Sequence, residues 1–133
     1  MGDIQKNKAL CVQFYTLIGD NKLDEAMALV DPNAEWWLPG NLPTSGSHKG
    51  RDAVIALFNR VCGTLTGEIE FEYGAITAEE DRVAMQISLQ TGLAKGGIYK
   101  NTYHMLFWVQ DGVIKRCCEY LDTQCAQQAI FDG

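Results

Sequence analysis

The sequence predicts an α+β domain in which three helices come first and an antiparallel sheet follows. Three stretches with the apolar spacing of helices fall within residues 1–62. Four stretches with strand-like alternation then occupy residues 66–123. The dipeptide Asp111-Gly112 between the last two is a strong hairpin signal. This order favours an antiparallel meander packed on helices over repeated βαβ units.

The first two helices are predicted to form a hairpin. Apolar residues recur with helical spacing from Ile4 to Ile18, and Gly19 follows as a stop signal. A second, shorter helical face runs from Leu23 to Val30. We expect it to end at Asp31-Pro32, because the residue before a proline is disfavoured in the α region.

A short strand, a loop and a third helix follow. Residues Ala34–Leu38 are predicted to form the strand, which carries two adjacent tryptophans that should face opposite ways. The loop Pro39–Gly50 is rich in Pro, Gly and Ser and is a candidate pocket rim. The apolar stripe of Arg51–Cys62 predicts the third helix.

The second half of the chain is predicted to be β. Alternation of apolar and polar residues, broken by a polar turn near residue 80 and by the Lys95–Gly97 segment, defines four strands. They are Glu68–Thr77, Arg82–Leu93, Ile98–Val109 and Val113–Asp122. From Arg82 onward both faces of the strands are apolar or semi-apolar, so both should be covered. One face should meet the helices, and we expect a second copy of the chain on the other, as a homodimer.

Length and charge restrict the function classes. The 133 residues suit one domain, divided into helices and first strand (1–62), meander (66–123) and tail (124–133). The net charge of −6, with 11 Lys and Arg that form no cluster, argues against nucleic-acid binding. No apolar run is long enough to span a bilayer, and the first residues lack the pattern of a secretory signal. We therefore expect no membrane contact and a cytoplasmic location.

The cysteines and histidines give no pattern typical of a metal or nucleotide site. The five cysteines are odd in number and lack metal-ligand spacing, which favours free, mostly buried thiols. Cys117 could be a nucleophile only with a nearby base, and none is evident. His48 lies in a polar loop and is expected to be solvated, whereas His104 is expected on the outer, dimer-facing side. No Gly-rich segment joins a strand to a helix, so we expect neither metal nor cofactor.

Three motifs, in this order, carry a resemblance to a known family. They are Gly19-Asp20-x-x-Leu23-Asp24 after the first helix, Trp36-Trp37-Leu38-Pro39-Gly40 after the first strand, and the run from Asp111 to Thr123. From Ala9 to Thr123 the chain resembles the SnoaL-like branch of the nuclear transport factor two-like superfamily. The resemblance implies a cone-shaped α+β barrel, in which a strongly curved, mostly antiparallel sheet wraps around helices and a pocket opens at the wide end.

The resemblance implies several activities, because the superfamily includes isomerases, epoxide hydrolases, polyketide cyclases, dehydratases and non-catalytic adaptors. The limonene-epoxide hydrolase pattern places an acid at Glu119 but also needs an Arg-x-Asp pair, where this sequence has Ile87 and Leu89. The epoxide-opening set is therefore incomplete.

Two other enzyme patterns overlap with this one. The ketosteroid isomerase pattern places a tyrosine oxyanion donor at Tyr15, but its general base falls on Leu38. The polyketide cyclase pattern requires one acid, at Glu119, with polar neighbours on the preceding strand, for which Asn101 and Tyr103 are candidates. Of the three, the cyclase pattern fits best.

Strand parity groups the candidate site residues. Cys117, Glu119 and Leu121 share one face of the last strand. If Glu119 faces inward, a pocket should form around it from ten residues: Trp36, Leu38, Phe58, Met85, Ile87, Asn101, Met105, Phe107, Cys117 and Asp122. Loss of hydration there would raise the pKa of Glu119 and make it a usable general acid or base. The alternative is a surface Glu119 paired with Arg116 or a lysine.

The tyrosines and Asp122 have two interpretations each. Tyr103 and Tyr15 could donate hydrogen bonds to an enolate or alkoxide oxygen, or they could simply satisfy neighbouring groups. Asp122 is expected on the strand face opposite to that of Glu119, near the end of the strand. This position favours a structural hydrogen bond to loop backbone over a role as a reserve acid.

The sequence thus favours a cofactor-independent acid/base enzyme of the cyclase, isomerase, dehydratase or hydrolase type. Glu119 would move the proton on a small, apolar, oxygenated molecule, and Tyr103 or Tyr15 would steady the charge on oxygen. The alternatives are a non-catalytic module that binds an apolar ligand and a structural dimer domain.

Overall fold

A computed structural model describes residues 3–132 and gives the order of elements. The helices are α1 (Ile4–Gly19), α2 (Leu23–Met27), α3 (Arg51–Cys62) and α4 (Thr123–Ala126), and a terminal π-helix (Gln127–Phe131) continues α4. The strands are β1 (Val30–Leu38), β2 (Gly46–Lys49), β3 (Glu70–Glu79), β4 (Arg82–Gly92), β5 (Ile98–Gln110) and β6 (Val113–Leu121).

The six strands form one sheet in the order β2-β1-β6-β5-β4-β3. All neighbours are antiparallel except β1 and β6, which run parallel. The sheet is curved and does not close on itself, and the N-terminal helices pack against it. Register shifts interrupt three of the strand pairs, and such bulges bend and twist a sheet. The predicted α+β fold with a curved, mostly antiparallel sheet is confirmed.

Helix α1 begins at Ile4, directly after the N-cap residue Asp3. The Asp3 carboxylate accepts hydrogen bonds from the backbone N–H groups of Gln5, at 2.8 Å, and Lys6, at 3.1 Å. This satisfies two of the amides that a helix start leaves without partners. The helix buries Phe14 and Tyr15 among its inward residues and packs along β3.

Two local predictions differ from the structure, and the structure also describes most of the tail. Helix α2 ends at Met27, and Pro32 lies inside β1. The register between β1 and β6 shifts between Val30 and Glu35, so a residue without a backbone N–H is tolerated at this point of the strand. The predicted loop Pro39–Gly50 contains β2, which pairs with β1. The tail is helical up to Phe131, and Gly133 lies outside the described residues.

The core lies between the helices and the inner face of the sheet, and it is built around aromatic rings. The ring of Phe14 lies 5.3 Å from that of Trp36 and 5.7 Å from that of Phe58 between centroids, distances at which aromatic pairs attract. A second, smaller cluster joins the tail to Leu42, Leu93 and Tyr99.

The outer face of the sheet also carries aromatic side chains. The rings of Trp37 and Tyr120 lie 5.4 Å apart, and Tyr120 is 46% exposed. His104 is exposed on this face, opposite Gln86 and Tyr120 on the neighbouring strands. Among residues 3–132, no helix has the length and apolar character needed to cross a bilayer.

Candidate functional site

An internal cavity of about 80 Å³ lies between α1, α3, the inner face of the sheet and the C-terminal tail. A volume of this size can hold several water molecules or a small ligand. Most of its lining is apolar, and its polar side chains are Glu119, Thr44, Tyr15, Tyr99 and Tyr103 together with the Cys62 thiol. The loop before β2 contributes Leu42 and Thr44, and the tail contributes Ala126, Ile130 and Phe131.

Glu119 is held inside this cavity by one of its two carboxylate oxygens. It lies on β6 opposite Met105 and is 7% exposed. Its Oε1 accepts a hydrogen bond of 2.6 Å from the Tyr15 hydroxyl and one of 2.8 Å from Trp36 Nε1. Within residues 3–132, Oε2 has no hydrogen-bond partner. One oxygen is therefore fixed, and the other is available to a ligand.

Burial sets the protonation behaviour of Glu119. Loss of hydration raises the pKa of this carboxyl above its usual value of 4.5. The hydrogen bonds from Tyr15 and Trp36, and the nearby charge of His48, favour the ionised form and oppose the rise in pKa without cancelling it. The arrangement suits a group that both takes up and releases a proton.

Tyr15 lies against Glu119 and lines the cavity, but its proton is already engaged. Its hydroxyl donates to Glu119 Oε1 and also lies 3.5 Å from the sulfur of Met105. Burial raises the pKa of Tyr15 well above its usual value, so the phenol remains protonated. In this geometry the Tyr15 hydroxyl holds the Glu119 carboxylate, and its role as an oxyanion donor remains a prediction.

A second polar group in the cavity is a pair of tyrosines on β5. The hydroxyls of Tyr99 and Tyr103 lie 2.8 Å apart, and Asn101 Nδ2 donates to Tyr99 at 2.7 Å. Asn101 is oriented by its own backbone contacts, since Nδ2 also donates to the Asp122 carbonyl and Oδ1 accepts from Thr102 N.

This arrangement leaves one phenolic proton unused. The two hydroxyls of Tyr99 and Tyr103 carry two protons but share a single hydrogen bond, and the Asn101 amide is only a donor to Tyr99. Whichever tyrosine donates to the other, one proton has no acceptor within residues 3–132. Burial raises the pKa of both phenols, so both protons are retained near neutral pH.

Comparison with known proteins decides the family. The sequence model of the SnoaL-like domain matches residues 12–117, which is most of the chain. The chain belongs to the SnoaL-like family. No curated protein matches it by sequence.

Solved structures agree with this fold. Bal32a, from a soil-derived mobile gene cassette, has a TM-score of 0.85 at 21% identity, with 97% of this chain and 99% of that chain covered. A candidate isomerase from Bacillus subtilis has a TM-score of 0.85 at 17% identity, covering 97% and 95%. A candidate SnoaL-like polyketide cyclase from Jannaschia sp. CCS1 has a TM-score of 0.81 at 15% identity, covering 98% and 94%.

The SnoaL-like domain brings together some of the residues that the sequence predicted for its pocket. Tyr15, Leu38, Phe58, Tyr103, Met105 and Glu119 all line the cavity. The side chains of Trp36, Met85, Ile87, Phe107 and Cys117 are fully buried outside the lining. Alternation identifies the inner face of a strand, but it does not show where along that strand the helices leave space. Trp36 still reaches the site through its hydrogen bond to Glu119.

Asn101 and Asp122 also lie outside the cavity lining of this SnoaL-like domain. Asn101 supports the tyrosine pair, and Asp122 caps α4 by accepting a hydrogen bond of 3.0 Å from Cys125 N. His48, expected to be solvated, is half-buried opposite Trp36, and its Nε2 lies 2.8 Å from the Thr44 carbonyl. Strand β2 puts it there, and the sequence pattern did not predict that strand.

The cysteines of this SnoaL-like domain are free thiols, and Cys62 lines the cavity. Burial raises the pKa of the Cys117 thiol well above its usual value, which keeps it protonated and poorly nucleophilic. Within the described part of the chain, residues 3–132, no three His, Cys, Asp or Glu side chains form a group that could hold a metal ion.

Proposed function

We propose that this SnoaL-like domain is a cofactor-independent acid/base enzyme that moves a proton on a small, apolar, oxygenated molecule. The main support for this proposal is the environment of the buried Glu119. Two donors fix its Oε1, while its Oε2 has no hydrogen-bond partner within residues 3–132. A carboxylate in an apolar cavity is a stronger base than one in water, because burial disfavours its charge.

The proposed step is proton removal next to a carbonyl group. Glu119 Oε2 takes a proton from the carbon, and the electron pair of the C–H bond moves onto the carbonyl oxygen as an enolate. The unused phenolic proton of the Tyr99–Tyr103 pair stabilises that oxygen. Glu119 then returns the proton to another carbon of the substrate, which completes an isomerisation, or to a leaving hydroxyl, which departs as water in a dehydration. In a cyclisation the enolate carbon bonds to a second carbonyl carbon of the substrate, the electron pair of that C=O bond moves to its oxygen, and Glu119 protonates the resulting alkoxide.

Two further observations support this reaction class. The lining is mostly apolar, which suits a substrate with few polar groups. The neighbours in fold include proteins assigned as a candidate polyketide cyclase and a candidate isomerase.

The test uses 5-nitrobenzisoxazole, a small neutral aromatic probe of general bases. A carboxylate removes the ring C–H proton, the N–O bond breaks, and the coloured cyanonitrophenolate is followed by absorbance. We expect the wild-type protein to accelerate this reaction and Glu119→Gln to lower the rate by about 10²- to 10⁴-fold. Glu70→Gln, at an exposed carboxylate on β3, is the matched control. A folded Glu119→Gln variant with the wild-type rate would contradict the proposal.

The alternative is a module that binds an apolar ligand without converting it. It is favoured by the single carboxylate among the lining residues, since many acid/base sites use two. Under this alternative the protein would bind aromatic probes, and neither wild type nor Glu119→Gln would accelerate the elimination reaction.

A further inference from the structure

Thr44 is a polar residue of the cavity with no assigned task. It is 2% exposed and lines the cavity beside Leu42. Its hydroxyl has no hydrogen-bond partner among residues 3–132, although its carbonyl has one. The hydroxyl is not among the fully buried side-chain atoms that lack a partner, so it keeps accessible surface, which a ligand in the cavity can contact.

The loop that carries Thr44 is fixed by its own hydrogen bonds. Ser45 Oγ donates to the Pro39 carbonyl at 2.6 Å and accepts from Leu42 N at 2.8 Å. The Thr44 carbonyl accepts from His48 Nε2 at 2.8 Å. The backbone of Thr44 is thus held from both sides, and its side chain reaches the cavity from a rigid support, as a binding group requires.

In the strand order, the elements that carry Thr44 and the tyrosine pair flank the strand of Glu119, and Leu42 in the Thr44 loop belongs to the same apolar cluster as Tyr99. The loop of Thr44 joins β1 to β2, which lie on one side of β6, and Tyr99 and Tyr103 lie on β5, on its other side. Glu119 is on β6 itself. A ligand beside Glu119 therefore has hydrogen-bonding groups available from elements on both sides of β6.

The charge of the lining limits the ligand further. Within residues 3–132, Glu119 is the only Asp, Glu, Lys, Arg or His that lines the cavity. An anionic ligand would meet this carboxylate with no cationic side chain in the lining, and His48, outside the lining, offsets only part of the charge of Glu119. The charge of the lining therefore favours a neutral ligand.

We propose that Thr44 is a ligand-binding residue that selects neutral molecules with two oxygens, one on each side of the carbon that faces Glu119, as in a β-hydroxyketone. The carbonyl oxygen binds the tyrosine pair, and the second oxygen binds the Thr44 hydroxyl. This assignment rests on the proposed function for the place of the reacting carbon, but the binding preference itself requires no turnover.

The experiment compares two probes that differ by one hydroxyl, 1-indanone and 3-hydroxy-1-indanone. Their dissociation constants are measured by NMR titration against wild type, Thr44→Val and Thr44→Ser. We expect wild type to bind the hydroxyketone more tightly by about two- to tenfold, the worth of one net hydrogen bond. Thr44→Val, which keeps the shape, should remove the preference, and Thr44→Ser should retain it.

Thermal unfolding of the ligand-free variants gives a second readout. Because the hydroxyl has no partner, Thr44→Val should be at least as stable as wild type. A clearly less stable Thr44→Val would show that the hydroxyl serves the fold and would overturn the proposal. So would equal affinities of wild type for the two probes, or no binding of either at millimolar concentration.

The two proposals can fail separately. In one outcome, Thr44→Val loses the probe preference, but Glu119→Gln converts 5-nitrobenzisoxazole at the wild-type rate. Thr44 would then be a binding residue in a module without acid/base chemistry. The reverse pair of results would leave the enzyme and overturn the role of Thr44.

Discussion

The two carboxylate oxygens of Glu119 have different environments. One oxygen holds the side chain in place, and the other is available for the proposed reaction. Oε1 accepts from Tyr15 and Trp36, which come from α1 and β1. Three elements thus meet at one atom, and each donor limits how far the carboxylate can turn. Oε2 can then act on a ligand without further reorganisation, which is the usual basis of electrostatic preorganisation.

The raised pKa of Glu119 predicts a pH-dependent cost to stability. Its pKa in the folded protein exceeds that in the unfolded chain, so its stabilising contribution is present below the usual value of 4.5 and is lost as pH rises through the folded pKa. Glu119→Gln is neutral at every pH. Its melting temperature, measured by calorimetry, should therefore exceed that of wild type by more at pH 8 than at pH 4.

Glu70→Gln is the control for this series, because its carboxylate is exposed on β3. A gap between Glu119→Gln and wild type that stays constant from pH 4 to pH 8 would contradict a raised pKa at Glu119.

At the level of single residues, the sequence predicted that Glu119 faces the inside of the sheet, because side chains along a strand alternate between its two faces. It did not identify Tyr99 or Thr44. Tyr99 contributes through a hydrogen bond to Tyr103, and Thr44 faces the cavity only because Ser45 and His48 fix its loop. Such contacts depend on the packed structure and leave no periodic signal.

The C-terminal tail is the element that closes the cavity. Ala126, Ile130 and Phe131 form part of its wall, and the guanidinium of Arg60 lies 5.6 Å from the Phe131 ring centroid. Asp122 precedes the tail, and its side chain caps α4 while its carbonyl accepts from Asn101. Asp122 is therefore linked both to the tail, through its cap on α4, and to the tyrosine pair, through Asn101.

Removal of this cap should loosen the tail. Asp122→Ala deletes the acceptor for Cys125 N, a loss worth about 1 kcal/mol at a helix N-cap. We expect amide exchange in residues 123–131 to accelerate about fivefold while exchange in β5 and β6 stays unchanged. Hydrogen–deuterium exchange with mass spectrometry measures both regions. Asp52→Ala in α3, where the cap is Gly50, is the control, and equal exchange in both variants would contradict the role of the cap.

The sequence predicted most elements, and its errors have local causes. Long amphipathic helices and alternating strands carry enough residues to reveal their period, as in α1 and β5. Strand β2 has only four residues, Gly46–Lys49, and none is a typical strand former. Pro32 suggested a boundary, but a bulge in the β1–β6 ladder accommodates it within the strand.

Across the whole molecule, the outer face of the sheet bears the aromatic residues that the core does not use. The rings of Trp37 and Tyr120 contact each other there at an angle of 59°, and Tyr120 is nearly half exposed. We propose that a second copy of the chain covers this face in a homodimer.

Tyr120→Glu should weaken that dimer. A charge at the centre of an apolar contact is costly to bury, so we expect the mass measured by light scattering to fall to that of a monomer at micromolar concentration. Ile4→Glu, at an exposed apolar residue of α1, is the control and should leave the mass unchanged. A monomeric wild-type protein under the same conditions would contradict the proposal.

The central place of β6 affects how this chain is made. Strand β6 lies between β1 and β5, yet it is the last strand to leave the ribosome. Until then β1 has only β2 as a neighbour, and the two parts of the sheet cannot join. Contacts between residues near 36 and 117 close a loop of about 80 residues, and such distant pairings are slow to form. Folding of this domain is therefore completed only after nearly all of it has been synthesised, and the strand that carries Glu119 is the one that completes it.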